Sequence, residues 1–260
     1  MSRYDLNDLS LAEARTRPPD AWRFRELLPL QGDPVSLGEP ATALLFAPRL
    51  SERWGLEVFV KDDSTMPGGT FKARGASVGL SRAVELGVKS VVMPTAGNAG
   101  GTWSLYAARA GIEITVVMSS QAPRTNQIEV SAAGGTLELV DGSIADAGER
   151  AKEIASETGA FLATTFSEPY RLEGKKSAWF EIFDGLGNGS EMAFPGTLVM
   201  PVGGGVAAIA AAKAAQEVLG AGWARGVPPV LVGVQAANCA PIVKAFAEGR
   251  DDVPPWTEDP

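Results

Sequence analysis

The sequence predicts a doubly wound α/β fold, and three observations carry the prediction: apolar β-rich runs alternate with helix-like stretches, glycines close those stretches, and the runs are apolar almost throughout. The β-rich runs are 57–61, 90–93, 114–118, 136–140, 197–200 and 230–234. Between them, 71–86, 101–110, 125–133, 144–157, 172–186 and 206–219 carry apolar residues three and four apart, the period of a helix with one buried face. Strand followed by helix, repeated, means parallel strands joined by crossover helices. Gly87, Gly111, Gly134, Gly159 and Gly220 stand where helix C-caps belong, each able to supply the left-handed residue that ends a helix. Strands that are apolar without alternation are strands covered on both faces, so helices are expected on both sides of the sheet. The first fifty residues differ: polar and rich in Arg and Pro around 15–20, then apolar at Trp22, Phe24, Leu27, Leu28 and Leu30. They read as a segment that wraps onto a domain or a partner. The chain has no internal repeat and no low-complexity tract.

Composition narrows the chemistry. A chain of 260 residues, 45% hydrophobic and 21% charged, is enough for one or two compact domains. Its net charge of −8 argues against nucleic acid or an anionic membrane as partner, because phosphate surfaces need clustered Lys and Arg. The most apolar stretch, 206–215, is interrupted by Lys213 and too short to cross a bilayer. The opening Met1-Ser2-Arg3-Tyr4-Asp5 lacks the pattern of a secretory signal, which makes the cytoplasm the expected compartment. There is no histidine, so a Ser-His-Asp triad and a histidine-bound zinc are excluded. Cys239 is the single cysteine, which excludes an intramolecular disulfide and a cysteine-built zinc site. No metal is expected, and the chemistry falls to lysine, carboxylates, hydroxyls or a borrowed cofactor.

Three glycine-rich loops then draw attention. In Gly68-Gly69-Thr70-Phe71-Lys72-Ala73-Arg74-Gly75 a lysine opens a helix directly after a glycine turn. There the helix dipole disfavours the ammonium form, and a free amine is what attacks an aldehyde. The other reading of Lys72 is a solvated helix lysine. Pro94-Thr95-Ala96-Gly97-Asn98-Ala99 follows an apolar run; Asn98 is either an ordinary helix cap or an amide aimed at a bound ring. Gly203-Gly204-Gly205-Val206 repeats the arrangement of strand, glycines and helix. It lacks the Gly-Lys-Ser/Thr of a nucleoside-triphosphate loop, and Ala208 stands where a dinucleotide fingerprint requires glycine. A tight turn or a cradle for a single phosphoester remains. Together the three loops suit pyridoxal 5'-phosphate.

Their order and spacing resemble the threonine synthase family, within the fold-type II pyridoxal-phosphate enzymes, over nearly the whole chain. The matching segments are Trp22-Arg23-Phe24-Arg25-Glu26-Leu27-Leu28-Pro29, Val35-Ser36-Leu37-Gly38-Glu39-Pro40 and the Lys72 motif. Ser167-Glu168-Pro169-Tyr170-Arg171-Leu172-Glu173-Gly174-Lys175-Lys176 and Gln235-Ala236-Ala237-Asn238-Cys239-Ala240-Pro241-Ile242-Val243 add matches that dehydratases lack. The resemblance implies a two-domain, tryptophan synthase β-like architecture: a large domain from 1–73 and 199–260, a small mobile domain from 74–198, and the cofactor in the cleft between them. It implies that Lys72 is the catalytic Schiff-base lysine and moves protons, that Asn98 bonds the ring's 3' oxygen, and that Gly203, Gly204, Gly205 and Val206 hold the cofactor phosphate. Thr95, Ala96 and Gly97 would face the substrate, and Arg171 would grip a substrate phosphate, with an ion pair to Glu168 or Glu173 as its other reading. The reaction implied is conversion of the amino acid O-phospho-L-homoserine and water to L-threonine and phosphate, by a homodimer.

Two departures accompany the resemblance. Many members read Ser-Thr-Gly-Asn-Thr where this chain has Thr95-Ala96-Gly97-Asn98-Ala99, which removes two hydroxyls that would face substrate. Members also continue beyond the point reached at Pro260, with the group that faces the pyridine nitrogen in that further segment. A threonine or serine dehydratase-like lyase and a non-catalytic cofactor-binding fragment therefore stand as alternative functions, and the chain is expected to be truncated or a natural short form.

Overall fold

The computed structural model describes residues 4–7, 9–254 and 256. The first three residues of the opening read for a signal, and Pro255 and 257–260 of the closing segment, lie outside the described residues. The elements are α1 (Leu11–Thr16), β1 (Ala43–Phe46), α2 (Pro48–Trp54), β2 (Phe59–Asp62), α3 (Lys72–Glu85), β3 (Ser90–Pro94), α4 (Ala99–Ala110), β4 (Glu113–Ser119), α5 (Arg124–Ala132), β5 (Thr136–Val140), α6 (Ile144–Thr158), β6 (Phe161–Leu162), α7 (Tyr170–Gly185), β7 (Thr197–Pro201), α8 (Val206–Gly220), β8 (Val230–Val234) and α9 (Pro241–Ala247).

A four-stranded parallel sheet, ordered β5-β4-β3-β6, is wound on both faces as the sequence predicts. Successive side chains of a strand point to opposite faces, and the core divides accordingly. Val91, Met93, Ile114, Val116 and Met118 pack under α3, α4 and α5, while Val92 and Val117 pack against Ala147, Ala151 and Ile154 of α6. The helix starts are built locally: Ser143 accepts from the N–H groups of Ala145 and Asp146, and the Asp146 carboxylate accepts in return from the Ser143 N–H.

A second core joins the chain's two ends. Leu11, Ala14, Phe24 and Leu27 pack with Phe180, Ile182 and Phe183 of α7, Leu198 and Met200 of β7, and the alanine face of α8. The N-terminal segment thus wraps onto a domain of its own chain. Arg15 and Arg23 reach Asp184 at 2.7 and 3.5 Å and fasten it there.

Three sequence expectations need correction. The run at 57–61 belongs to an antiparallel pair, β1 with β2, instead of a parallel unit: the chain turns back through α2 and sets Phe59 beside Phe46. β7 and β8 do pair in parallel, but they are not covered on both faces: β7 alternates between buried and exposed, and Val199 is 69% and Val230 63% exposed. Gly220 stays within α8, where an added Cβ would lie 2.6 Å from Leu6; the left-handed glycine after that helix is Gly222. The short elements α1, α2, α9 and β6 have too few residues to show a period.

α3 and α7 cross with their backbones in contact. A Cβ on Gly174 would stand 2.0 Å from the Arg74 carbonyl oxygen, and one on Gly75 would stand 2.7 Å from that of Arg171. Gly174→Ala is accordingly expected to force the helices apart and cost about 3 kcal/mol, the upper part of the range for overpacking. Calorimetry should show the midpoint falling by roughly 6–12 °C; an unchanged midpoint would refute the contact.

Candidate active site

The crossing places three cations around one cleft. Lys72 lies three residues before Gly75, Arg171 three before Gly174, and Lys175 one after it, so the two helices deliver all three side chains to the same end of the crossing. The cleft has a volume of about 560 Å³. Its remaining walls are the loop after β3 (Thr95, Ala96, Gly97, Asn98), the loop after β7 (Gly203, Gly204, Gly205) with Val206, and Phe71, Trp103 and Thr165. Both loops follow the carboxyl ends of parallel strands, where doubly wound folds bind ligands. Every site residue expected from the sequence lines this one cleft.

Lys72 is the first residue of α3, and its N–H donates to the Thr70 hydroxyl at 3.0 Å. Gly68 and Gly69, with φ of 76° and 68°, make the turn that sets it there, a conformation costly for residues with a Cβ. Its Nζ stands 4.4 Å from the centroid of the Phe71 ring. Burial first, and the neighbouring Arg171 guanidinium second, hold the amine below the ordinary lysine range. The helix dipole acts in the same direction.

Asn98 precedes α4, but its side chain does not cap the helix. The Thr102 hydroxyl and N–H both donate to its carbonyl, at 3.0 and 3.2 Å, and the side-chain amide has no hydrogen-bond partner among the described residues. It faces the cleft. The Thr95 hydroxyl is turned back into its own loop and accepts from the Gly97 N–H at 3.1 Å.

The glycine loop has the form of an anion cradle. The N–H groups of Gly203, Gly204 and Gly205 make no hydrogen bond among the described residues, and Val206 opens α8 with one of the helix's unsatisfied donors. Gly205 needs its glycine because φ is 83°. Gly203 and Gly204 do not need theirs for packing: a Cβ on Gly203 would meet nothing within 4 Å, and one on Gly204 nothing closer than 3.7 Å. Open space above unpartnered N–H groups is what a phosphate group requires. Gln235 braces this loop from behind, donating to the Gly203 carbonyl at 3.4 Å and accepting from the N–H groups of Ile242 and Val243 at the start of α9.

Arg171 combines both of its readings. It lines the cleft, yet its Nε donates to Glu168 and its Nη2 donates to the Ala163 carbonyl at 2.7 Å, with the guanidinium 4.9 Å from the Trp103 ring centroid. Lys175, Thr165 and Trp103 were not among the expected site residues. Lys175 carries a legible signal, since it lies four residues after Arg171 on a helix and so shares its face.

The residues from 35 to 259 match the family described as pyridoxal-phosphate dependent enzyme. The chain belongs to that family. Pyridoxal phosphate is the family's cofactor, and the unpartnered Asn98 amide, the glycine cradle and the half-buried Lys72 amine fit it. The threonine synthase of Methanosarcina acetivorans is 31% identical over 97% of this chain and 61% of its own length. That of Methanocaldococcus jannaschii is 32% identical over 97% of this chain and 63% of its own length. The chain thus spans about three-fifths of the curated relatives it matches. Among solved structures, maize serine racemase superposes with a TM-score of 0.70 over 84% of this chain and 62% of its own, at 22% identity, a likeness of fold.

Proposed function

We propose that the chain forms the lysine-bearing part of a lyase that converts O-phospho-L-homoserine and water to L-threonine and phosphate. The observation that carries this reading is the convergence of Lys72, the Asn98 amide and the Gly203–205 cradle in one cleft. The likeness to threonine synthases over nearly all of this chain supports the choice of substrate.

In this reading the N–H groups of Gly203, Gly204, Gly205 and Val206 hold the cofactor's phosphate, and the Asn98 amide donates to the ring's phenolic oxygen. The cofactor supplies an electron sink beside the substrate carbon that loses its proton. Lys72 Nζ takes the proton from the α carbon, gives it up, and then takes one from the β carbon, a role that suits an amine held below the ordinary lysine range by burial. The N–H groups of Ala96, Asn98 and Ala99, which make no hydrogen bond among the described residues, orient the substrate carboxylate, and Arg171 faces its phosphate. Residues 74–198 act as a smaller mobile domain over a cofactor-binding domain of 1–73 and 199–260, with α7 running between the two cores. A homodimer in the cytoplasm completes the reading; no helix among the described residues is long and apolar enough to cross a membrane.

The test is the absorbance of the purified protein with pyridoxal phosphate, before and after O-phospho-L-homoserine. Threonine and phosphate in equal amounts are the expected products. Oxoacid release from threonine or serine without phosphate would replace this reading with a dehydratase, and a bound cofactor without turnover of either substrate would leave a cofactor-binding fragment.

A further inference from the structure

Two adjacent lysines of α7 meet opposite fates. Lys176 is fully buried and satisfied, with Glu173 at 2.8 Å, Glu217 at 2.6 Å and the Leu27 carbonyl at 2.6 Å. Lys175 is 8% exposed and has no ion pair or hydrogen bond among the described residues. Its Nζ lies 5.0 Å from the centroid of the Phe71 ring, the same ring that Lys72 approaches, and it lines the cleft. An ammonium buried to this degree without an ion pair or hydrogen bond of its own is costly, and proteins pair such groups almost without exception. The partner belongs in the cleft.

We propose that Lys175 is a specificity-determining residue that binds the phosphoryl group of the substrate, with Arg171 beside it. The proposal rests on the reading of the substrate as a phosphorylated amino acid. Of the two cations, Lys175 is the uncommitted one, because Glu168 and the Ala163 carbonyl already occupy Nε and Nη2 of Arg171. A dianion suits the pair better than a carboxylate does, since a guanidinium and an ammonium together supply two charges and several donors. The carboxylate has other donors at the loop after β3.

The charged groups facing Lys175 are Lys72 from α3, Arg171 on its own helix, and Glu168 just before that helix. The glycine loops contribute only backbone. Burial, then Lys72 and Arg171, bring the Lys175 amine down to about 7. With no anion beside it the amine is therefore charged below pH 7 and increasingly neutral above it, and an entering dianion draws the proton back. Anion affinity should accordingly fall as pH rises through and above 7.

Calorimetric titration of the cofactor-loaded protein tests this, since the cofactor's own phosphate fills the glycine cradle and added anions report on the second position. Inorganic phosphate at pH 7 should bind wild type and bind Lys175→Gln roughly tenfold to a hundredfold more weakly. Sulfate, a dianion throughout, should weaken from pH 6 to 9 in wild type. Lys175→Arg should bind it with little dependence on pH. Phosphate binding unchanged in Lys175→Gln, sulfate binding independent of pH in wild type, or acetate competing as well as phosphate would each overturn the proposal. Should Lys175→Gln fold poorly by circular dichroism, the sulfate series on wild type decides. Failure of the broader reading looks different: the protein then fails to take up cofactor, or releases oxoacid without phosphate, whatever stands at position 175.

Discussion

Replacement of Lys72 by alanine is expected to abolish covalent attachment of pyridoxal phosphate and to lower turnover by a thousandfold or more, on the order of what removing a nucleophile that also moves protons costs. The expectation rests on place and state together. Lys72 opens α3 behind the Gly68-Gly69 turn, faces the cleft, and is held below the ordinary lysine range by burial and by Arg171. The cleft contains a second amine, that of the buried Lys175, so attachment must be mapped and not only detected. Borohydride treatment of the loaded protein followed by peptide mass analysis should find the reduced cofactor on the peptide that includes position 72. Lys72→Ala should carry none, while Lys175→Gln should carry a full complement. Cofactor retained covalently by Lys72→Ala, or mapped to Lys175, would reassign the site. Circular dichroism of Lys72→Ala should match wild type, because its amine makes no ion pair within the protein among the described residues, and a fall in melting midpoint of several degrees would point to a structural role instead.

The parts of this site that could be read from the sequence are those in which backbone chemistry is written into residue type. Gly68-Gly69 and Gly205 advertise positive φ, and each helix start follows from an apolar run, a glycine turn and a change of period. The doubly wound sheet was legible for the same reason: Val91 to Met93 and Val116 to Met118 are apolar on both faces because both faces are covered. Where a face is open the rule misled, and β7 was expected to be covered although Val199 stands in solvent. The pairing of β1 with β2 was missed because four-residue strands carry almost no period. Lys175 was missed for a different reason. Its importance lies in what it lacks, a partner, and the sequence sets Glu168 and Glu173 close to it along the chain. Only the packing shows that Glu168 is taken by Arg171 and Glu173 by Lys176. Likewise Glu39, in a segment that resembles the family's entry motif, is a structural residue. It accepts from Trp22 Nε1 at 2.8 Å, from the Ser36 hydroxyl at 2.6 Å, from the Leu37 N–H at 2.9 Å and from the Tyr106 hydroxyl.

Arg74→Met is expected to destabilise the protein by about 3 kcal/mol, the lower part of the cost of breaking a buried pair, because it leaves two part-buried carboxylates without their counter-charge. Arg74 is 1% exposed and makes paired contacts with two acids: Asp63 at 2.8 and 2.9 Å, and Glu181 at 2.5 and 2.9 Å. The hydroxyls of Ser177 and Thr42 accept from it as well, both at 2.9 Å. This one guanidinium therefore ties α3 to α7 and to the turn after β2, two residues beyond Lys72. Methionine can fill the space but leaves Lys61, 2.6 Å from Glu181, as the remaining cation of the group. Urea unfolding should show the loss as a lower midpoint. Arg74→Met/Glu181→Gln should recover part of it, because the second change removes one orphaned charge. Acid unfolding gives an independent reading. Burial alone would raise the Asp63 carboxyl, but Arg74 outweighs it and holds the group below the ordinary aspartate range. A carboxyl lowered on folding contributes stability that is present above its unfolded value and lost as pH falls through its folded one. Wild type should thus keep this contribution down to a pH below about 4, the ordinary aspartate value. In Arg74→Met the burial effect prevails and the loss should begin at higher pH. Identical acid midpoints in the two proteins would show that the Arg74 network does not set the stability of this crossing, and that the glycine contact between α3 and α7 holds Lys72 in place without it.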